Sequence, residues 1–337
     1  MTARLITAFI TAFFISVGIG SFLVPFLRKR KAGQSIKENG PVWHMNKTGT
    51  PTMGGIMFIV AVAAVCISTG FSEMANGNFS HIFILTFAAL FGAIGFSDDY
   101  KKLQMKQNLG LTAKKKFLIQ LIAASVLVFF LRHFGYMTSE IYIPFINVTK
   151  VVPEPLYAAF AIFVVIGTVN AVNITDGADG LAAGSALPCC LFYVAISYAW
   201  GPGFLPVGIF SSGLAGGLFG FLVYNYHPAK IFMGDTGSLF LGGAICAAAF
   251  VTDMPLILIP LGIVFVIETV SDIIQIVYFK ATKGKRVFKM APLHHHLELG
   301  GRNGRRWSEK ELFALFTCIS AVFAAAAFAG VLGRYGI

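Results

Sequence analysis

The sequence predicts an all-α polytopic membrane protein of about ten transmembrane helices, both termini periplasmic or extracellular. Three observations lead there. Of its 337 residues, 56% are hydrophobic and 12% charged, whereas a soluble domain carries roughly a quarter charged residues. The apolar residues fall into ten runs near the ~20-residue length that a spanning helix needs. Basic residues crowd into alternate gaps between those runs.

In chain order the runs are 3–27, 53–72, 80–97, 117–134, 155–174, 181–200, 204–224, 237–253, 255–279 and 310–332. The first reads as an anchor, because Arg28, Lys29, Arg30 and Lys31 follow the apolar stretch and no small-residue cleavage site is evident. A very short polar gap separates the fifth and sixth. One set of loops (28–47, 101–116, Lys230 and 280–310) holds 22 of the 26 Lys and Arg, counting Lys37 and Lys106. Arg4, Arg132, Lys150 and Arg334 lie on the other side. Positive-inside bias makes the first set cytosolic and puts both termini outside. It also accounts for the net charge of +11 without nucleic acid. With no repeat or low-complexity segment, residues 1–337 read as a single integral membrane domain.

The five cysteines, all inside apolar runs and without C-x-x-C spacing, read as small buried hydrophobes. Carboxylates are more informative. Asp98, Asp99, Asp176, Asp179, Asp235 and Glu298 gather on the cytosolic side, a grouping that positive-inside bias does not require.

Four blocks carry the chemistry. Asp98 and Asp99 close the third run; adjacent carboxylates repel unless cations compensate, and Mg²⁺ commonly takes one or two carboxylates plus substrate phosphates. A solvated helix end paired to lysines is the alternative. Asn170-x-x-Asn173-x-x-Asp176-x-x-Asp179 ends the fifth run, and amides at membrane depth need a partner or a cavity. Interhelical hydrogen bonding would explain the asparagines but not the aspartates. Phe232-Met233-Gly234-Asp235-Thr236-Gly237-Ser238 opens the eighth run; glycines at a helix N-terminus allow phosphate to approach, while Asp235 could also be a plain N-cap. His294-His295-His296-Leu297-Glu298 sits in the last large basic loop, without the H-E-x-x-H spacing of a zinc helix. Glu268 and Asp272, four apart within the ninth run, stay unassigned.

Together these blocks, with Lys47 and Gly49-Thr50-Pro51-Thr52-Met53-Gly54-Gly55, closely resemble the phospho-N-acetylmuramoyl-pentapeptide transferases. These are a branch of the polyprenyl-phosphate N-acetylhexosamine-1-phosphate transferases. The motifs match from about Lys47 to Glu298, and the topology extends the resemblance across the chain. It implies transfer of phospho-MurNAc-pentapeptide from UDP-MurNAc-pentapeptide to undecaprenyl phosphate, giving lipid I and UMP, with Mg²⁺ as cofactor. The expected site faces the cytosol from the bacterial inner membrane. Bilayer lipids are expected partners, a homodimer is left open, and nucleic acid is not expected. The resemblance makes Asp235 the principal Mg²⁺ ligand, Asp98 the residue that orients or deprotonates the lipid phosphate, and Asp99 a support for metal or lysines. Phe232 would stack on uracil, with Lys47, Asn225 and Asp179 lining the nucleoside pocket. Asn173, Asp176, Lys116, His294, His295 and His296 would hold the sugar-diphosphate. Rival readings are a sister transferase using UDP-GlcNAc, disfavoured by the triple-His and Gly-Thr-Pro-Thr-Met-Gly-Gly strings, and a transporter, whose polar residues would lie nearer the bilayer midplane.

Overall fold

A computed structural model describes residues 1–30, 47, 49–105 and 110–334; Lys31, Lys37 and Lys106 of the basic-loop count lie outside the described residues. The helices are α1 (Thr2–Lys29), α2 (Gly55–Ser68), α3 (Phe71–Ala75), α4 (Ser80–Met105), α5 (Ala113–His133), α6 (Glu154–Thr175), α7 (Leu181–Ala199), α8 (Leu205–Asn225), α9 (Gly234–Val251), α10 (Leu258–Leu261), α11 (Ile263–Ala281), α12 (Leu293–Glu298) and α13 (Glu309–Val331). Among the described residues, α1, α4–α9 and α13 are long and apolar enough to cross a membrane. The chain is an all-α polytopic membrane protein.

Two of the ten expected runs take a different form. The second yields α2 of 14 residues, about 21 Å at 1.5 Å per residue, against a hydrocarbon core of about 30 Å. Its first residues are drawn into backbone pairing instead: Phe232 N–H donates to Pro51 O at 2.8 Å, and Gly54 N–H to Phe232 O at 2.8 Å. The ninth run breaks at Gly262, where the segments Pro255–Leu261 and Ile263–Ala281 meet at 83°. Pro260 and Gly262 are the residues that interrupt a helix ladder there. The sequence predicts helices alone, yet β1 (Glu140–Ile143) and β2 (Val148–Val151) form an antiparallel hairpin with Glu140 opposite Val151. Its turn docks on the end of α13 through Phe145 N–H to Gly330 O at 2.9 Å.

Lipid tails give helices no hydrophobic reason to associate, so close packing over small residues does that work. On α1, Ala8, Ala12, Ser16 and Gly20 recur every fourth position and are buried, facing α8. Ser16 Oγ donates to Gly217 O at 2.8 Å and Ser212 Oγ to Leu5 O at 2.6 Å. The pair that matters for the site is α4 with α9. Gly95 lies so near the Asp235 carbonyl that any Cβ there would strike it. One turn further along α4 come Asp98 and Asp99, brought beside Asp235 by that approach. Four cysteines are buried as expected, while Cys318 is exposed on α13.

Candidate active site

Asp98, Asp99 and Asp235 converge at the contact of α4 with the start of α9, each offering a carboxylate oxygen within 4.8 Å of the others. Two lysines compensate them. Lys102, one turn beyond Asp98, places Nζ 2.6 Å from Asp98 Oδ2, 3.9 Å from Asp99 Oδ1 and 2.9 Å from Asp235 Oδ2. Lys116, in the first turn of α5, reaches Asp235 Oδ2 at 2.9 Å. Asn173, near the end of α6, donates to Asp235 Oδ1 at 2.7 Å and to Ser238 Oγ at 2.8 Å. Asp98 also accepts Leu111 N–H at 2.5 Å.

The three carboxylates are not equivalent. Asp99 accepts the N–H groups of Asp235 at 3.2 Å and Thr236 at 2.9 Å, plus the Thr236 hydroxyl at 2.7 Å. It therefore caps α9 from another helix, satisfying donors that a helix start leaves open. Asp235 stands in the first turn, not at the N-cap, which is Met233. Gly234 is needed at this tight entry, since its φ of +72° is costly for other residues and a side chain would meet Asp99 and Thr52.

A second cluster adjoins the first. The turn 176–180 ends α6 and starts α7, with Gly180 at φ +74°. Asp179 accepts Lys47 Nζ at 2.7 Å, faces His227 Nδ1 at 2.8 Å and accepts Ala229 N–H at 3.0 Å. Burial pushes its carboxyl up, but the Lys47 ammonium, with the His227 and Ala229 bonds, outweighs that and holds it below its ordinary value. Asp176 is the opposite case. Burial, then repulsion from Asp235, Asp99 and Asp179, pushes it well above 3.8. Lys47 also meets Glu309 Oε2 at 2.5 Å and lies 5.8 Å from the centre of the half-buried Phe232 ring. Asn225 is 2% exposed, and both ends of its amide are engaged, accepting Gly180 N–H at 3.0 Å and donating to Ile231 O at 2.9 Å. It braces the turn against the loop that carries Phe232.

The three histidines differ in setting. His294 is fully buried against Glu268, with Nδ1 to Oε2 at 2.7 Å; His295 Nδ1 faces Glu298 Oε2 at 2.8 Å. His296 Nδ1 accepts Lys289 N–H at 3.1 Å. Burial, followed by the Lys289 and Arg302 charges, lowers its pKa. Asn170 pairs with Gln120 across α5 and α6, Nδ2 to Oε1 at 2.9 Å, so interhelical bonding accounts for it.

Comparison with known proteins places the chain in a family. Glycosyl transferase family 4 matches residues 81–253. The phospho-N-acetylmuramoyl-pentapeptide-transferase of Caldanaerobacter subterraneus subsp. tengcongensis is 43% identical over 96% of this chain and 97% of its own. Those of Anoxybacillus flavithermus and Listeria welshimeri are each 45% identical, over 96% and 94% of this chain and 95% of their own. The chain belongs to the phospho-N-acetylmuramoyl-pentapeptide-transferase family. As a member of that family it is a multi-pass membrane transferase.

Lys102, His227, Thr236 and Glu309 touch the candidate residues, yet the sequence assigns none of them a role. Lys102 had a signal, its i,i+4 spacing from Asp98 on one helix face. Glu309 had none, because it meets Lys47 from 262 positions away.

Proposed function

We propose that the chain transfers phospho-MurNAc-pentapeptide from UDP-MurNAc-pentapeptide to undecaprenyl phosphate, forming lipid I and UMP for peptidoglycan synthesis. It would act as one domain at the cytosolic face of the bacterial inner membrane, with both termini outside. The observation that carries this reading is the convergence of Asp98, Asp99 and Asp235 with Lys102 and Lys116, beside a separate pocket of Lys47, Phe232 and Asp179. The first suits two phosphates meeting; the second suits a flat, polar base.

In the reaction an oxygen of the lipid phosphate attacks the β-phosphorus of the nucleotide sugar. The bond from that phosphorus to the bridging oxygen breaks, and UMP leaves with the electron pair. Two anions must be brought together, so charge compensation is the main requirement. Lys102 and Lys116 supply fixed cations. The donor set fits Mg²⁺, being all carboxylate oxygen; Asp98 and Asp235 would hold it, since Asp99 is occupied with capping α9. When bound, Mg²⁺ would neutralise developing charge on the diphosphate. Asp98 would orient the attacking phosphate, which is already largely ionised near neutrality given a second pKa of about 6. Asn173 fixes the Asp235 carboxylate, while Asp176, His295 and His296 would face the sugar-diphosphate. Phe232 would stack on uracil beside Lys47.

Purified protein in detergent, given Mg²⁺, undecaprenyl phosphate and UDP-MurNAc-pentapeptide, should release UMP. Release with UDP-GlcNAc alone would reassign it to the sister transferases. Solute accumulation in vesicles without UMP release would make it a transporter.

A further inference from the structure

Glu268 has no part in the chemistry above, yet it is a fully buried acid on α11. Its carboxylate grips His294 at two points. Oε2 lies 2.7 Å from Nδ1, and Oε1 accepts the His294 backbone N–H at 3.2 Å. When Glu268 is ionised it can only accept, which puts the proton of that contact on Nδ1. The opposite ring atom, Nε2, is buried and has no hydrogen-bond partner among the described residues. It rests on Gly177, where any Cβ would clash with it. Gly177 has no left-handed backbone to demand glycine, so space for this ring is what excludes a side chain. Its neighbours are Asp176 and, two residues on, Asp179.

We propose that Glu268 is a positioning residue: it fixes the tautomer and plane of His294, and the ring sets the turn that aims Asp176 and Asp179 into the site. His294 then acts as a wedge behind the site, unlike His295 and His296. A carboxylate that orients an imidazole through Nδ1–H is a recurrent device, used here on a backbone turn. The inference rests on the proposed function only in taking that turn as part of the nucleotide-sugar site.

The test uses Glu268→Gln, His294→Asn and Gly177→Ala in the full-length protein. Gln must present an amide N–H to one of the two donors, so it loses part of the grip. Asn keeps a donor near the Nδ1 position but removes Nε2. Histidine-selective ¹⁵N spectra should show a ring protonated at Nδ1 that vanishes in His294→Asn and shifts in Glu268→Gln. Kinetically, Glu268→Gln should raise KM for the nucleotide sugar about tenfold with a smaller change in kcat. Gly177→Ala should lower the melting temperature in the parent but not in a His294→Ala background, because the obstructing ring is gone. The proposal is overturned if Nδ1 proves unprotonated, if KM stays within about twofold of the parent, or if Gly177→Ala is equally harmful in both backgrounds. Should the parent release no UMP, the proposed reaction falls, and the spectra and melting cycle alone decide the dyad.

Discussion

Asp99 caps the helix that presents Asp235: its carboxylate accepts the Asp235 and Thr236 N–H groups and the Thr236 hydroxyl. One acid of the adjacent pair is thus committed to placing the third. Asp99→Asn keeps one acceptor but loses the charge at a helix N-terminus, and its amide N–H groups oppose backbone donors. We expect a loss of about 0.5–2 kcal/mol in stability, the usual range for a lost cap, together with lost activity. Asp235→Asn should lower activity about 100-fold or more while leaving the melting temperature near the parent's. Thermal unfolding in detergent, read beside UMP release, separates the two; equal destabilisation by both would refute the division.

Lys102 touches all three carboxylates and stands where a divalent cation would compete for the same oxygens. A unit charge pair at ~4 Å is worth about 4 kcal/mol at an effective dielectric near 20. Lys102→Met should therefore tighten Mn²⁺ binding by about tenfold even if most of that energy is relaxed away. Transfer should still slow, because a cation facing the phosphates is lost. Electron paramagnetic resonance titration of Mn²⁺ checks the first part. Unchanged or weaker binding would show that the ammonium is no competitor.

Much of this site was legible because its chemistry is dense in the chain. Asp98, Asp99, Asn173, Asp176, Asp179 and Asp235 sit in short polar strings at the ends of apolar runs, where such residues need a reason to be. Residues that join those strings to one another were harder to see. Glu309 is one charge in a basic loop until folding sets it against Lys47 and the Asp179 N–H. The hairpin at 140–151 pairs four residues on each strand, too few for a period-two pattern to stand out. The break at Gly262 lies inside an unbroken apolar run, so hydropathy alone reads straight through it.

Asp176 and Asp179 titrate in opposite senses, and the signs give a test by pH. Asp176 has a raised folded pKa. Its folded state is unpenalised below the unfolded value near 3.8, and stability falls as pH rises toward the folded value. Asp179 has a lowered one, so its contribution is present above that unfolded value and is lost as pH falls through the folded value. At pH 7.5, Asp176→Asn should raise the melting temperature and Asp179→Asn lower it. Near pH 4 the Asp176 difference should shrink, whereas the Asp179 difference should persist until pH falls below about 3.8. Asp176→Asn should still impair transfer, as stabilising changes at strained functional sites do.

Glu309 and Asp179 hold the Lys47 ammonium between them at 2.5 and 2.7 Å, and Glu309 also accepts the Asp179 N–H at 2.8 Å. Removing one partner of a buried ion pair costs about 3–5 kcal/mol, because the other charge is left behind. Here Asp179 still faces Lys47, so Glu309→Gln should fall well short of that range and Glu309→Ala nearer to it. The functional effect follows from where Lys47 points. Freed from Glu309, it should shift relative to Phe232 and loosen the pocket proposed for the nucleoside. We expect KM for the nucleotide sugar to rise about fivefold to tenfold in Glu309→Gln while kcat stays near the parent's, the mark of lost ground-state binding. Steady-state kinetics with undecaprenyl phosphate saturating decides it. A fall in kcat at constant KM would instead place Glu309 in the transfer step.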